Sequence, residues 1–159
     1  MRIFISTLII LFSFGSSQND QQLQYELAIE NRVNKFRAKY KRADLKSDEC
    51  LKKAAQLHAE YLLTEKNLSH FQKNKELKTP EDRVKKSNCE YIIILENVAY
   101  FEFDNLPSSD EGAEKLVNLW IQSKGHKENM INKMVTQFGT AVAFDFENKK
   151  VVAVQVFSK

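Results

Sequence analysis

The apolar residues of this chain change their spacing near Gln137, and this change limits the possible folds more than any other feature. From Phe138 onward, large or β-branched residues alternate with other residues, and the run Val151–Phe157 repeats the alternation. A period of two is typical of strands, and the polar residues 147–150 between the two runs predict a β-hairpin. The short apolar run Tyr91–Leu95 predicts a third strand, buried on both of its faces.

Upstream of the hairpin, apolar residues recur mostly at helical spacing. Four helices are predicted. The first spans residues 21–40, and the second begins after a cap at Ser47. The third runs from a cap at Thr79 to near Ser87, and the fourth runs from Ser109 to about Lys124. Gly125 follows the last helix and is predicted to end it in a left-handed conformation. Helices followed by a hairpin predict an α+β fold, in which helices pack on a small, mostly antiparallel sheet.

The N-terminus has the three parts of a secretory signal peptide. Arg2 supplies a positive charge, Ile3–Phe14 is almost wholly apolar, and small residues precede an abruptly polar stretch. The apolar run is shorter than the ~20 residues that span a bilayer. We expect cleavage after Ser17, with Ser16 as an alternative, or else an uncleaved N-terminal anchor. The predicted organisation is a signal peptide over residues 1–17 and one domain over 18–159, in a secreted protein that would be periplasmic in a Gram-negative bacterium.

The charges are nearly balanced, with 24 basic and 21 acidic side chains mixed along the chain. This balance argues against a nucleic-acid or anionic-membrane partner, and no later segment is apolar enough to cross a membrane. The only two cysteines are Cys50 and Cys89. In an exported protein an even count predicts a disulfide, and two buried thiols are the alternative.

The chain has three histidines. His58 lies in the middle of the second predicted helix among apolar residues, which is typical of a core histidine. His70 and His126 both lie at the ends of predicted helices, where side chains from separate segments can converge. Glu96 directly follows the predicted strand Tyr91–Leu95, and a buried carboxylate is costly unless it is paired or coordinated. Two imidazoles and a carboxylate could form an open zinc site, or they could be unrelated residues.

A series of segments has an order and spacing that match a known family: Asn31-Arg32, Phe36-Arg37, Leu51–Leu62, Leu68-Ser69-His70, Arg83, Glu96–Ala99, Trp120, Ser123–Ile131, Phe138–Ala143 and Val154–Phe157. In these segments the chain resembles the CAP superfamily of cysteine-rich secretory, antigen 5 and pathogenesis-related 1 proteins. It is most similar to the small single-domain branch of that superfamily, which is common in bacteria and some protists.

The resemblance implies an α-β-α sandwich with a shallow cleft. In many family members two histidines and two glutamates face the cleft, and some bind zinc there. These positions correspond here to His70, His126 and Glu96, while the second glutamate falls on Ser123, with Gln122 beside it. The incomplete set weakens any acid–base chemistry and still allows a metal site. Asn97 is expected to tie down backbone beside Glu96.

The sequence thus predicts a secreted, non-catalytic and monomeric binding module. Its ligand would be a small apolar molecule such as a lipid or sterol, or a macromolecular partner, with a divalent metal such as zinc in the cleft. The alternative is a zinc-dependent hydrolase that uses the same cleft. A serine hydrolase based on Ser69 or Ser123 lacks the expected nucleophile motif. Asn67-Leu68-Ser69 is a glycosylation sequon, which matters only in a eukaryotic secretory pathway.

Overall fold

Three strands of nine residues form the centre of the fold. In the structure, a computed structural model, residues 10–159 are described, with side chains from residue 18 onward. The predicted signal peptide, residues 1–17, therefore lies outside the residues whose side chains are described. The strands are β1 (Lys46–Ser47), β2 (Ile94–Glu102), β3 (Gln137–Asp145) and β4 (Lys150–Ser158). Their order across the sheet is β1-β3-β4-β2, with β1 parallel to β3 and the other pairs antiparallel.

Helices cover both faces of this sheet, so the predicted α+β sandwich is confirmed. The helices are α1 (Ile10–Lys39), α2 (Glu49–Thr64), α3 (Pro80–Lys86), α4 (Ser109–Gln122) and α5 (Lys124–Met130), with a 3-10 turn at Lys75–Leu77. One core cluster joins α1, α4 and one face of the sheet through large residues such as Tyr25, Trp120 and Phe157. A second cluster joins α2, α3 and the other face through small and β-branched residues such as Ala55, Val84 and Val154.

The hairpin of β3 and β4 is also confirmed, and its alternation explains the two clusters. Phe138 pairs with Phe157, and both side chains belong to the cluster under α1 and α4. Ala141 pairs with Val154, and both belong to the cluster under α2. Because successive strand residues point to opposite faces, the period-two pattern assigns each residue to its layer.

Three local predictions are wrong. The cap of α2 is Asp48, whose side chain accepts hydrogen bonds from the backbone amides of Cys50 and Leu51, while Ser47 lies in β1. Gly125 has no positive φ and lies inside α5, because α4 already ends at Gln122. The third strand begins at Ile94 rather than Tyr91, and Ile92 is 89% exposed, so the preceding residues are not a buried strand.

Side chains of α1 close the outer edge of β3 beyond its short pairing with β1. The side-chain amide of Gln22 donates to the carbonyl of Val142 (3.1 Å), and a carboxylate oxygen of Glu26 accepts from the amide of Val142 (3.2 Å). Lys52 from α2 pairs with the same Glu26 at 2.7 Å. These contacts satisfy strand groups that would otherwise lack partners.

The predicted disulfide between Cys50 and Cys89 is present, with Cα atoms 6.2 Å apart. It joins the first turn of α2 to the segment that follows α3. This bond crosslinks the two helices that cover one face of the sheet, and a loop of this kind restricts the unfolded chain. Among the described residues, no helix is both long and apolar enough to span a bilayer.

A close approach between α2 and β3 leads to our first prediction. A Cβ atom at Gly139 would collide with the backbone of Leu51 and Lys52, whereas a Cβ at Gly125 would meet no atom within 4 Å. We therefore expect Gly139→Ala to lower the free energy of unfolding by about 1–3 kcal/mol, through overpacking against backbone that cannot move aside.

The matched control is Gly125→Ala, which places the same methyl group on an open helical position. We expect it to leave stability unchanged or to raise it slightly, because alanine favours helix over glycine. Urea unfolding followed by circular dichroism measures both variants. Equal stability of the two variants would contradict the assigned approach of α2 to β3.

Candidate functional site

Glu96 lies inside β2 and is the centre of the polar cluster in the fold. Its side chain points toward α2 and α3 and is 1% exposed. Both carboxylate oxygens are engaged: Oε2 accepts from Nη2 of Arg83 at 2.6 Å, and Oε1 accepts from Nδ1 of His70 at 2.9 Å. The carboxylate that the sequence leaves without a partner is therefore paired with a buried cation.

Arg83 reaches Glu96 from α3, and its side chain is fully buried. Its guanidinium also donates to the backbone carbonyls of Leu77 (3.1 Å) and His70 (3.3 Å). A buried charge pair of this kind needs such additional hydrogen bonds to offset its desolvation. Arg83 thereby fixes the backbone of the loop that carries His70.

The rings of His70 and His126 lie next to each other, at the place where the family resemblance predicts a cleft. Their ring centroids are 5.7 Å apart and the rings meet edge to face at 72°. Since Nδ1 of His70 donates to Glu96, its Nε2 is the nitrogen left for a ligand, and the side chain is 41% exposed. Burial lowers the pKa of His126 below its ordinary value, and the neighbouring His70 lowers it further. The neutral imidazole, which is the form that binds metals, is therefore favoured.

Two asparagines hold α5, and with it His126, against the end of the sheet. Asn97 donates from Nδ2 to the carbonyl of His126 at 3.0 Å. Asn129 donates to Oδ1 of Asn97 at 3.0 Å and to the carbonyl of Glu96 at 3.2 Å. The carbonyl of Glu96 and the side chain of Asn97 are thus tied to the helix that carries the second imidazole.

His58 is fully buried, as expected for a core histidine, and it supports the loop that carries His70. Its Nε2 donates to the carbonyl of Ser69 (2.7 Å), so its Nδ1 accepts from the side-chain amide of Gln72 (3.1 Å). Its ring stacks on Tyr61 with centroids 6.0 Å apart. Burial lowers the pKa of His58, and nearby Arg83 lowers it as well, whereas Glu96 at 3.7 Å acts in the opposite direction.

The structure therefore brings His70, Glu96 and His126 together without arranging them as three metal ligands. Among the described residues, no three histidine, cysteine, aspartate or glutamate side chains are placed to hold a metal ion. Glu96 orients His70 instead of facing the cleft. Ser123 joins α4 to α5 with no side-chain capping bond, and Gln122 beside it is exposed.

The sequence did not predict that Arg83 pairs with Glu96 or that Gln72 supports the site. The signal for Arg83 was the buried carboxylate itself, because such a group requires a cation or a metal. Gln72 carried no signal, since nothing in the local pattern distinguishes it from a solvated loop residue. Its side chain is nevertheless buried and bonded to His58.

A shallow groove of about 640 Å³ lies beside His70, between the end of α2 and the following loop. Most of its lining residues have polar or charged side chains, such as Tyr61, Asn67 and Lys73, and Phe71 adds an apolar ring. Phe71 directly follows His70 and is 57% exposed. The arrangement can make aromatic and hydrogen-bonding contacts with a partner that covers both the groove and the two imidazoles.

Comparison with known proteins assigns the chain to a family. The model of the cysteine-rich secretory protein family, CAP, matches residues 30–157, so the chain belongs to the CAP family. No curated protein sequence matches the chain. The resemblance inferred from the sequence is therefore confirmed at the level of the family.

Solved structures of other proteins share the fold. An extracellular SCP-domain protein from Bacillus anthracis is 21% identical with a TM-score of 0.70, over 87% of this chain and 41% of that one. An outer surface protein from Borrelia burgdorferi is 23% identical with a TM-score of 0.68, over 82% and 88% of the two chains. NaASP2 crystallised with Zn²⁺ is 13% identical with a TM-score of 0.51, over 73% and 60%. This chain thus spans less than half of the Bacillus protein.

The buried pair generates a stability prediction. Glu96→Gln removes the negative charge and leaves the Arg83 guanidinium buried without an anion. We expect the free energy of unfolding to fall by about 3–5 kcal/mol, the usual cost of breaking a buried pair from one side. The control is Glu76→Gln, which breaks the exposed pair with Lys86 and should have no measurable effect. Urea unfolding that gave equal losses would contradict the structural role of Glu96.

The neutral histidines generate a pH prediction. The folded-state pKa values of His58 and His126 lie below their ordinary value near 6.5, so the unfolded chain binds more protons. Stability should be fully present above about pH 6.5 and should decline as the pH falls below it. Protonating Nδ1 of His58 would also displace the amide of Gln72.

Unfolding free energies at pH 7.5, 6.5 and 5.5 test this behaviour. His58→Gln should be less stable at pH 7.5 but should lose less stability on acidification, because one of the two depressed groups is gone. If the free energy of unfolding of this variant fell with pH as steeply as that of the unaltered protein, His58 would not contribute to the pH dependence.

Proposed function

We propose that this protein is a secreted, non-catalytic binding module that recognises a macromolecular partner through the cleft around His70 and His126. The proposal rests mainly on the burial and the hydrogen bonds of Glu96. Its carboxylate is 1% exposed and is paired with Arg83 and His70, so it is shielded from a substrate or water that would give up a proton. The position of the second family acid is occupied by Ser123.

The surroundings of the cleft favour a macromolecule over a lipid or sterol. Sites for small apolar ligands are usually deep and lined mostly by apolar side chains. The groove beside His70 is open, and most of its lining residues are polar or charged. The exposed ring of Phe71 next to His70 provides an aromatic anchor of the kind that dominates protein interfaces.

Within this proposal, His70 and His126 would hold a divalent cation such as zinc. Nε2 of His70 makes no hydrogen bond within residues 18–159, and the contact between its Nδ1 and Glu96 matches the carboxylate–histidine arrangement that orients metal-binding imidazoles. A related structure, NaASP2, was crystallised with Zn²⁺. Two imidazoles leave coordination positions for water or for a side chain of the partner, so the ion would serve as a bridge.

A zinc-dependent hydrolase is the second candidate, and the same pair of imidazoles is the observation that favours it. A zinc ion can lower the pKa of bound water toward neutrality without help from a protein base. The proton released in such a reaction would still need an acceptor, and the carboxylate of Glu96 is already paired with Arg83 and His70. We therefore rank this activity below binding.

Export is the remaining part of the proposal. The predicted signal peptide over residues 1–17 and the disulfide between Cys50 and Cys89 both fit an oxidising compartment outside the cytoplasm. Two of the structural relatives are described as extracellular or outer surface proteins. N-terminal sequencing of the mature protein, with cleavage expected after residue 17, tests this part on its own.

Zinc titration by calorimetry tests the metal site. We expect one bound ion per chain, with the affinity falling at least about tenfold in both His70→Ala and His126→Ala. Gln122→Ala is the control, because this exposed residue ends α4, four residues before His126, and should leave the affinity unchanged. Zinc affinity that survives both histidine variants would overturn the metal site.

Turnover assays on peptides and esters, with zinc present, decide between the two functions. We expect no hydrolysis above background by the unaltered protein. Hydrolysis that disappears in His70→Ala, while folding is retained by circular dichroism, would overturn the binding proposal and establish the hydrolase.

A further inference from the structure

The second buried arginine of the fold lacks an acidic partner. Arg37 lies in α1 and is only 2% exposed. Its Nε donates to the carbonyl of Ala43 (2.9 Å), and its Nη1 donates to the carbonyls of Met130 (2.6 Å) and Asn132 (3.1 Å). Within residues 18–159, no carboxylate lies within salt-bridge distance of it, in contrast to the pair formed by Arg83 and Glu96.

The guanidinium of Arg37 is therefore desolvated without a directly paired carboxylate. Burial lowers its pKa and the neighbouring Arg42 lowers it further, whereas Asp44 acts in the opposite direction. An arginine keeps its charge at physiological pH, so the cost of burial has to be offset by carbonyl dipoles or by an anion. The carbonyls at the end of α5 supply part of this compensation. Its Nη2 makes no hydrogen bond to another residue of the described chain.

Arg37 forms part of the lining of an open groove of about 750 Å³. The cations that line the groove are Arg37, Lys41, Arg42, Lys46 and Lys133, and the one acidic residue is Asp44. Apart from Arg37 these basic residues are exposed, and no carboxylate of the described chain pairs with them within 4 Å. The groove is thus a concave surface with unneutralised positive charge.

This concentration of charge is not a property of the chain as a whole. The full sequence has 24 basic and 21 acidic side chains. Without the residues of this groove, the chain would have slightly more acidic than basic side chains. The five cations and the single acid of the groove give it a formal charge of +4, against +3 for the whole sequence, and a concave surface with this charge attracts anions.

We propose that this groove binds a sulfated oligosaccharide, with one sulfate near Arg37 and others along the surrounding lysines. A planar guanidinium with a free nitrogen matches the oxygens of a sulfate, and several spaced cations match a chain with several anionic groups. A flat bilayer would not reach the recessed Arg37. None of the residues that line the groove belongs to the cluster of His70, Glu96 and His126, so the groove does not depend on the function proposed for the cleft.

The groove is also held in place before any ligand binds. Arg42 donates from Nε to the carbonyl of Ile131 at 3.0 Å, which leaves the end of its guanidinium for an anion. Lys46 belongs to β1, and its backbone amide donates to the carbonyl of Thr136 at 3.1 Å. Since α1, β1 and the segment after α5 are fixed to one another, little ordering is required on binding.

The test uses the full mature chain and a heparin-derived hexasaccharide, with binding measured by calorimetry at several salt concentrations. We expect binding that weakens as salt rises, because sulfate contacts are screened. The double variant Lys46→Glu/Lys133→Glu should lose at least about tenfold in affinity, since two contacts become repulsive. These side chains are exposed, so the fold should be retained.

The matched control is Lys53→Glu/Lys78→Glu, which makes the same charge change at exposed positions outside the groove. Its affinity should change less than about twofold. Equal losses in the two double variants would overturn the site in favour of general attraction by net charge. Absence of binding by the unaltered protein would overturn it as well.

Two further probes separate other sources of anionic groups. Inorganic sulfate should bind far more weakly than the hexasaccharide, because it occupies only one of the spaced positions. Vesicles of phosphatidylcholine with phosphatidylserine should not bind. Vesicle binding that required Lys46 and Lys133, without binding of the hexasaccharide, would overturn the oligosaccharide and indicate a membrane surface.

Discussion

The geometry of the cleft depends on one desolvated ion pair between Arg83 and Glu96. Each of these groups would be strongly destabilising alone, and together they offset each other only in a narrow range of positions. Because the pair joins α3 to β2, it fixes the helix against the strand. The same guanidinium binds the carbonyl of His70, and the same carboxylate binds its ring. One interaction therefore sets both the backbone and the side-chain orientation of a cleft residue.

Asn97, the residue after Glu96, positions a second cleft residue from the other side of the sheet. Successive strand residues face opposite ways, so Asn97 points to the layer that contains α5. It binds the carbonyl of His126, while Glu96 orients His70 from the opposite layer. Two neighbouring positions on one strand thus align two helical layers at a common point. This explains how imidazoles from remote segments meet at 5.7 Å between ring centroids.

Much of this arrangement can be predicted from the sequence, and the failures have physical causes. The hairpin and the main helices follow from hydrophobic period, which directly reflects which face is buried. The predicted start of β2 is wrong because an unbroken apolar run shows no alternation, so the sequence pattern does not mark where the strand begins. Gly125 is misleading because glycine fits both a left-handed cap and a helix interior. The roles of Arg83 and Arg37 escape prediction because nothing local distinguishes a buried arginine from a solvated one.

The cover of β3 by α1 affects whether strands of separate molecules can pair with each other. Gln22 and Glu26 occupy the carbonyl and amide of Val142 on β3, beyond the two residues of β3 that pair with β1. An incoming strand from another molecule would have to displace both side chains, and the charge of Glu26 with them, before it could pair there. Growth of intermolecular sheets, the first step toward fibrils, is therefore obstructed at this edge by two side chains of a helix.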